Sequence, residues 1–342
     1  MVIRERCRRL FTPAVLLIFA GCGGGFPATP PAGPVTATSN TVLVQNVRRG
    51  ASWMAKGATQ RDLLYVSNAN GTVSVYRYWQ HTLVGVLTDF SNPQGECSDK
   101  AGNVYITDSG KKKIYEYSHG GKKPISVLDA APYEPYGCSV NPANGDLAVA
   151  NSASDEYKPG NLSIYPHGSG TPATYQGPYD DHFINCAYDD RGDLFMNSQI
   201  VYYYSFFYSI AFYYLPKHGP KLIAEDLSEP YFSSGWPYVS SIAYDGKYWM
   251  VDAISDLYLY EINIKPQYEG DLTFSSSYRV GVVALYRNTL KGRATQVVGA
   301  ASTRSASAVD YWKYPALGSP IGGITKDLDD PVGLTISFGQ HA

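Results

Sequence analysis

The sequence predicts an all-β fold, a six-bladed β-propeller closed by a C-terminal strand that joins blade one. The stretch Asn92–Tyr117 combines a Pro-Gly entry, a short strand, a tight polar turn and two further strands. The same order recurs at Glu134–Tyr165 and, more loosely, at Phe183–Tyr214. A repeat of roughly 40–50 residues with several short strands is typical of a propeller blade. The entry phrase returns at Asp330–Ser337 with no blade after it, so we expect this segment to complete blade one and leave no open sheet edge.

The predicted strands follow in chain order. An isolated strand is predicted at Val42–Val47, outside the phase of the repeat. Blade one has three strands, with an Asn-Gly hairpin turn after the first, at Asp62–Ser67, Thr72–Tyr76 and Leu83–Leu87. Blades two, three and four are predicted at 95–128, 137–175 and 183–224. Blade five is predicted from Val239–Tyr244, Lys247–Val251 and Asp256–Ile262. Blade six is predicted from Arg279–Tyr286, Ala294–Ala300 and Ala308–Tyr314.

The N-terminus has the order of an export signal. Four arginines precede the apolar run Leu10–Ala20, which is too short to span a bilayer and typical of a signal sequence. The run ends in Phe19-Ala20-Gly21-Cys22, which resembles a bacterial lipobox, and Cys22 is therefore the expected lipidation site. Phe19 departs from the smaller aliphatic residue usual there. An ordinary secretory signal cut nearby is the alternative.

These features divide the chain into three parts. Residues 1–21 are predicted to be a lipoprotein signal peptide, residues 22–41 a Gly/Pro/Thr-rich tether, and residues 42–342 the propeller. We expect a lipid-anchored protein of a bacterial cell envelope, on the extracytoplasmic side. Removal of the first 21 residues leaves 24 basic and 29 acidic residues, and this acidic balance argues against a nucleic-acid partner. We expect a monomer attached to the membrane through its lipid.

Two phrases carry a resemblance to a known repeat. PQGECSDKAGNVYITDSGKKKIYEY and DPVGLTIS resemble NHL-type repeats, whose pattern runs Pro-x-Gly-apolar, Asp-x-x-Gly, strand, Asp-x-Gly. The resemblance covers most of residues 62–337, and it is best in blades two and three. It implies a six-bladed propeller. Such propellers include binding scaffolds, sugar-lactone hydrolases with Ca²⁺ at the channel mouth, and lyases, so the resemblance does not choose a function.

The loops that enter the inner strands give the candidate ligand-binding residues, because these loops usually line one mouth of the channel. The candidates are Glu96, Tyr136, Asp181, His182, Trp236 and Tyr238. The aromatic members could stack on a sugar or a peptide. A histidine next to acids could also act as a base, and an enzyme would use Glu96, Asp181 and His182.

Two other recurring sets have a structural and a functional interpretation. A polar residue ends the second strand of five blades, at Asn68, Asp108, Asn151, Asn197 and Asp252. We interpret these residues as turn caps, and a Ca²⁺ site is the alternative. Three cysteines begin successive inner strands, at Cys97, Cys138 and Cys186. We favour small apolar packing for them; a disulfide between neighbouring strands is open, since an exported protein permits one.

The aromatic run Ile200–Leu215 is the strongest sequence signal of a binding surface. A strand sends successive side chains to opposite faces, so the run cannot be buried entirely. Part of it is expected in the core. The rest is expected in an enlarged hairpin of blade four, which either packs against blade three or five or forms a candidate partner surface at Tyr202, Tyr203, Tyr204, Phe207 and Tyr208.

The sequence thus favours a non-catalytic binding module for a protein, peptide or glycan. We expect no catalytic residue, no metal ligand set and no cofactor, with Ca²⁺ as the exception to test. The alternative is a divalent-metal-dependent hydrolase, similar to a lactonase, or a lyase with its site at the channel mouth.

Overall fold

A computed structural model describes residues 50–155, 158–179, 181–201, 208–225, 239–253, 256–262, 266–273, 280–287, 292, 294–301 and 307–339. These residues contain 25 strands and two short 3₁₀ helices, at Ala58–Gln60 and Pro166–Gly168. Within the same ranges, no helix combines the length and the apolar character needed to span a bilayer.

The strands are distributed evenly along the chain. The first group is β1 (Trp53–Met54), β2 (Leu63–Asn68), β3 (Thr72–Arg77) and β4 (Thr82–Leu87). The second is β5 (Pro93–Ser98), β6 (Val104–Asp108), β7 (Lys113–Tyr117) and β8 (Pro124–Asp129). The third is β9 (Glu134–Val140), β10 (Leu147–Ser152), β11 (Asn161–Tyr165) and β12 (Ala173–Tyr175). The fourth is β13 (Asp181–Tyr188), β14 (Leu194–Val201), β15 (Tyr208–Leu215) and β16 (Ile223–Glu225). The fifth is β17 (Val239–Tyr244), β18 (Trp249–Ala253), β19 (Asp256–Ile262) and β20 (Pro266–Thr273). The last is β21 (Val280–Tyr286), β22 (Gln296–Ala301), β23 (Val309–Lys313), β24 (Gly322–Ile324) and β25 (Pro331–Ser337).

In the part of the chain that the structure describes, these strands form six antiparallel sheets. Sheets two to six are meanders of four consecutive strands, β5–β8 through β21–β24. Sheet one has five strands in the order β1-β4-β3-β2-β25. Its innermost strand is therefore the C-terminal β25, which pairs with β2 from Leu63↔Ser337 to Asn68↔Pro331. The architecture confirms the predicted all-β propeller fold.

The first strands of sheets two to six, together with β25, are the inner strands. Each inner strand contacts the next in the order β25, β5, β9, β13, β17 and β21, and β21 contacts β25. The prediction from sequence named three strands in each of blades one, five and six. The structure adds β1 at the outer edge of sheet one, β20 in sheet five and β24 in sheet six.

Glycine explains why the inner strands approach so closely. A Cβ atom on Gly95 would lie 2.5 Å from the carbonyl oxygen of Tyr136, and a Cβ on Gly137 would lie 2.7 Å from that of Ile184. A Cβ on Gly333 would lie 1.8 Å from the carbonyl oxygen of Gln94. Such distances exclude any side chain. The Pro-x-Gly phrase of the sequence thus sets the spacing of β25, β5, β9 and β13 around the channel.

Aspartates organise the turn between the first and second strands of a sheet. In sheet four, Asp189 is fully buried and its Oδ1 accepts hydrogen bonds from the backbone N–H groups of Arg191, Gly192 and Asp193. Gly192 has φ 93°, a left-handed conformation that favours glycine. This is the physical basis of the Asp-x-x-Gly phrase.

The hydrophobic core lies between successive sheets. One cluster joins Ala148 and Leu162 of sheet three to Phe183, Met196 and Tyr213 of sheet four. Other clusters join sheet six to sheet one and sheet four to sheet five. Each fully buried large apolar side chain stabilises the fold by about 1.5–3 kcal/mol.

Candidate functional site

The inner strands line a central channel that encloses a cavity of about 270 Å³. Strand register identifies one equivalent position in each inner strand. The residues at this position pair with the middle of the second strand of the same sheet, and they are Glu96, Cys138, Cys186, Ile242, Val283 and Leu334. All of them are buried, and all except Glu96 are apolar or thiol side chains. Glu96 is therefore the one carboxyl at this position of the described inner strands.

Glu96 is held by a neighbouring sheet. Ser67 Oγ donates a hydrogen bond to Glu96 Oε1 at 2.7 Å. Glu96 Oε2 is buried and has no hydrogen-bond partner among the described residues. Burial raises the pKa of Glu96 from 4.5 to about 8, because the charged form is poorly solvated, and Ser67 and the Thr335 backbone amide only partly oppose this shift. A buried carboxyl with a raised pKa and an unpartnered oxygen, in a residue that lines a cavity, is a candidate functional group.

A disulfide joins two inner strands beside the channel. Cys97 on β5 and Cys138 on β9 form an S–S bond, with their Cα atoms 5.6 Å apart. Both residues are buried in the apolar cluster between sheets two and three, and they also form the disulfide that the sequence left open. Cys97 and Cys138 occupy adjacent, not equivalent, positions in their strands, and this offset lets their side chains meet across the strand boundary. Cys186 is a buried free thiol, and burial raises its pKa to about 12.

A wider cleft of about 530 Å³ lies at the channel mouth formed by the turns that follow the inner strands. Its walls come from the β5–β6 and β9–β10 turns, from Arg287 after β21, and from Phe338 after β25. The cleft and the channel cavity share Ser98, Val140 and Phe338 as lining residues. The two spaces therefore meet at this mouth.

The mouth has a charged wall. Arg287 donates a hydrogen bond from Nη1 to Asp190 Oδ1 at 2.7 Å and forms a second contact from Nη2 to Asp190 Oδ2. This bidentate pair links the turn of sheet six to the turn of sheet four. Lys100, in the β5–β6 turn, is exposed and also lines the cleft.

A row of aromatic rings extends from the cleft to the surface. Phe338 lies 5.4 Å from Tyr286, and Tyr286 lies 4.9 Å from Trp79, between ring centroids. Tyr286 is anchored by a hydrogen bond from its hydroxyl to Asp62 Oδ2. Trp79 is 53 % exposed. Aromatic faces beside a cleft are suited to sugars and peptides. The sequence did not predict this row, because Trp79 follows β3, Tyr286 ends β21 and Phe338 follows β25, and these positions are far apart in the chain.

The structure places the predicted ligand-binding residues in different surroundings. Asp181 is fully buried and accepts hydrogen bonds from Tyr213 Oη at 2.7 Å and Ser198 Oγ at 2.5 Å. His182 is 7 % exposed, and its Nδ1 lies 2.6 Å from Ser152 Oγ. Tyr136 is half-buried, and its carbonyl oxygen accepts a hydrogen bond from Thr107 Oγ1. Of the four predicted residues that the structure describes, Glu96 alone lines the channel cavity.

The side chains of the residues that end the second strands form hydrogen bonds mainly with nearby backbone groups. Asp108 accepts hydrogen bonds from the backbone N–H groups of Ser91, Asn92 and Lys111. Asn68 Oδ1 accepts one from Asp329, and Asn197 Oδ1 accepts one from Asn185. Asn151 instead bonds Asn161 Oδ1 at 2.7 Å through its side-chain amide. The side chain of Asp252 lies outside the described residues.

The described residues do not contain a metal-binding cluster. Among the described part of the chain, no three His, Cys, Asp or Glu side chains are grouped so that they could hold a metal ion. Ca²⁺ takes six to eight oxygen ligands, so the described channel residues do not fit it.

Other predicted residues lie outside the described ranges. They are the isolated strand Val42–Val47, the lipidation site Cys22, and the candidates Trp236, Tyr238, Tyr202, Tyr203, Tyr204 and Phe207. The backbone of Tyr208 pairs with Val201. The second half of the aromatic run is core, with Phe212 and Tyr213 buried.

Comparison with known proteins supports the fold. No family model and no curated protein matches the chain. A chain of a nidogen/laminin complex is similar in structure, with a TM-score of 0.60 and 11 % identity, over 82 % of this chain and 99 % of that one. A protein of unknown function from Bacteroides caccae has a TM-score of 0.57 and 9 % identity, over 81 % of this chain and 99 % of that one. The Cps50 (Swd1) β-propeller domain of Myceliophteria thermophila has a TM-score of 0.51 and 12 % identity, over 81 % and 86 %. At such identities the likeness shows the fold alone.

Proposed function

We propose that this chain is an exported, lipid-anchored, six-bladed β-propeller of the NHL type that acts as a non-catalytic binding module for a protein, peptide or glycan. The six sheets correspond to six blades in this proposal. Its support is the series of contacts from inner strand to inner strand, which returns from β21 to β25. The pairing of β25 with β2 supports closure of the ring by the C-terminal segment.

One observation carries the binding role, namely the cleft that opens into the channel. A cleft of about 530 Å³ is within the range of small-molecule and side-chain binding sites. It combines an apolar floor at Phe338 with polar walls at Asn141, Lys100 and the Arg287–Asp190 pair. Such sites orient a ligand with a few polar groups and bind it through buried apolar area.

The proposed location outside the cytoplasm has two supports. The first is the signal sequence and lipobox-like ending at Cys22, followed by an uncharged tether. The second is the Cys97–Cys138 disulfide, since structural disulfides persist in oxidising compartments and are rare in the cytosol. We place the mature protein on the extracytoplasmic side of a bacterial membrane, as a monomer.

A direct binding experiment tests the proposal. The purified full chain in detergent is applied to arrays of glycans and peptides, and each hit is titrated with the wild type, Phe338→Ala and Trp79→Ala. Loss of a buried aromatic contact should weaken binding by about tenfold or more for Phe338→Ala. Trp53→Ala is the matched control, because Trp53 is 44 % exposed on β1 at the outer edge of sheet one. The absence of a saturable ligand, or equal loss in the control, would contradict a binding role for this cleft.

The same protein sample distinguishes the hydrolase or lyase alternative. Elemental analysis after dialysis measures bound Ca²⁺ and Zn²⁺, and a stoichiometric ion would support a metal-dependent enzyme. Less than one tenth of an ion per chain, together with saturable binding at the cleft, would support the binding module.

A further inference from the structure

We infer that the channel recognises one group of the ligand, a primary ammonium on an unbranched chain that enters from the cleft and hydrogen-bonds Glu96 Oε2. A lysine side chain of a peptide carries this group. The inference rests on the proposed function, because it assigns the innermost part of the same binding site.

The first argument is the isolation of Glu96. The carboxyl is held by Ser67 at Oε1 and receives a weaker contribution from the Thr335 backbone amide, whereas Oε2 makes no hydrogen bond of normal geometry in the described structure. A buried polar atom without a partner costs about 1–3 kcal/mol, and more if it is charged. Structures keep such a group where a ligand completes its bonding.

The second argument is charge. None of the described residues that line the channel cavity is a lysine, an arginine or a histidine. A buried carboxylate is normally paired with a cation or coordinates a metal ion. The described residues do not form a metal site, so the ionised form of Glu96 needs a cationic group that the ligand supplies, and without a ligand the carboxyl holds its proton.

The third argument is the path. Ser98 lines both the cleft and the channel cavity, and it lies two residues after Glu96 on β5. Two residues of a strand span about 7 Å. The four-carbon stem of lysine has a comparable reach, and its apolar methylenes suit the apolar side chains at the equivalent positions, such as Leu334 and Val283.

The fourth argument links the ligand to a proton. In the unliganded protein burial raises the pKa of Glu96 to about 8, so the carboxyl is mostly protonated at pH 7. A bound ammonium favours the ionised form, so binding should release a proton. The strands that contact β5 are β2, β6, β9 and β25. Their titratable side chains are Tyr65, Tyr105, Asp108, Glu134 and Tyr136, and β25 has none.

The experiment uses two capped amino acids as probes. Nα-acetyl-lysine methylamide is compared with Nα-acetyl-norleucine methylamide, which has a similar stem without the ammonium, by calorimetry on the full chain at pH 7. We expect the lysine probe to bind about 10- to 100-fold more tightly, as for a hydrogen bond to a charged group. In buffers of different ionisation enthalpy, roughly one proton should be released for each lysine probe bound.

The variant test separates this inference from the proposed function. Glu96→Gln should reduce the affinity for the lysine probe to that for the norleucine probe, while Glu134→Gln, the same exchange on β9, should leave it unchanged. Equal affinity for the two probes, or equal binding of Nα-acetyl-arginine methylamide, would overturn the inference. Array ligands lost in Phe338→Ala but retained in Glu96→Gln would leave the binding module intact and reject only the ammonium site.

A second readout does not depend on the variant. In protein labelled with ¹³C at the glutamate carboxyl carbons, the lysine probe should move the Glu96 signal toward the ionised position at pH 7. An unchanged signal at saturating probe would also overturn the inference.

Discussion

Replacement of Glu96 by glutamine should change how the stability of the domain depends on pH. Glu96 has a pKa of about 8 in the folded protein and an ordinary value of 4.5. The folded state therefore holds this proton more tightly than the unfolded state. Its contribution to stability is fully present below pH 4.5 and is lost as the pH rises through 8.

The magnitude follows from the two pKa values. As the pH rises from 4.5 to 8, the free energy of unfolding should fall by about 1.4 kcal/mol for each pH unit, which is about 5 kcal/mol in total. Glutamine has the same shape as the protonated carboxyl and does not ionise. The difference in stability between Glu96→Gln and the wild type should thus be small at pH 5 and should favour the variant by about 4 kcal/mol at pH 8.

Urea denaturation at pH 5, 6, 7 and 8 measures this difference. Taking the difference between variant and wild type removes contributions from other titrating groups. Glu134→Gln controls for the exchange itself at a half-buried position of β9. A variant-minus-wild-type difference that stays constant from pH 5 to pH 8 would refute the reasoning, because Glu96 would then titrate normally.

Four further predictions concern the ring and the anchor. Deletion of residues 330–342 removes β25 and should abolish cooperative thermal unfolding, and an unchanged melting curve would exclude closure by this strand. Gly333→Ala places a Cβ 1.8 Å from Gln94 O and should destabilise the domain by about 1–3 kcal/mol in urea titrations, whereas Gly50→Ala, with no atom within 4 Å, should not. Cys138→Ser should lower the free energy of unfolding by about 2–4 kcal/mol in the same titrations. Dithiothreitol should lower the free energy of unfolding of the wild type to that of the variant and leave the variant unchanged. Cys22→Ser should move the protein from the membrane fraction to the soluble fraction, and persistent membrane attachment would reject the lipobox.

Prediction from the sequence was most accurate at positions where the local backbone accepts only one type of residue. Gly95, Gly137 and Gly333 admit no side chain, and Asp189 caps a turn that ends in a left-handed glycine. The glycine recurs in the inner strands of sheets one to three and the aspartate cap in sheets two, four and five, so the repeat is visible in the sequence. In contrast, β24 is three residues long and β20 contains charges and a glycine, so neither has the alternation of a typical strand.

The site was harder to predict because it depends on register. The sequence placed Cys97 and Cys138 only at the start of successive inner strands, whereas the structure aligns Glu96 with Cys138. This one-residue offset forms the disulfide and places a carboxyl among apolar residues. Ser67 and Phe338, which complete the site around Glu96 and the cleft, are far from it in sequence. Their roles follow only from the pairing of β25 with β2.

The disulfide has a consequence for local opening of the propeller. It closes a covalent loop with a sequence separation of 41 residues, which includes most of sheet two. The bond keeps Cys97 of β5 and Cys138 of β9 together even when the enclosed loop unfolds, whereas β25 is held to β2 and β5 by noncovalent contacts alone. In native-state hydrogen exchange, amides of β25 should exchange through a low-energy opening, and amides of β5 and β9 should exchange only through global unfolding. Motions that admit a ligand to the channel would then begin at the β25 seam, the side on which Ser67 holds Glu96.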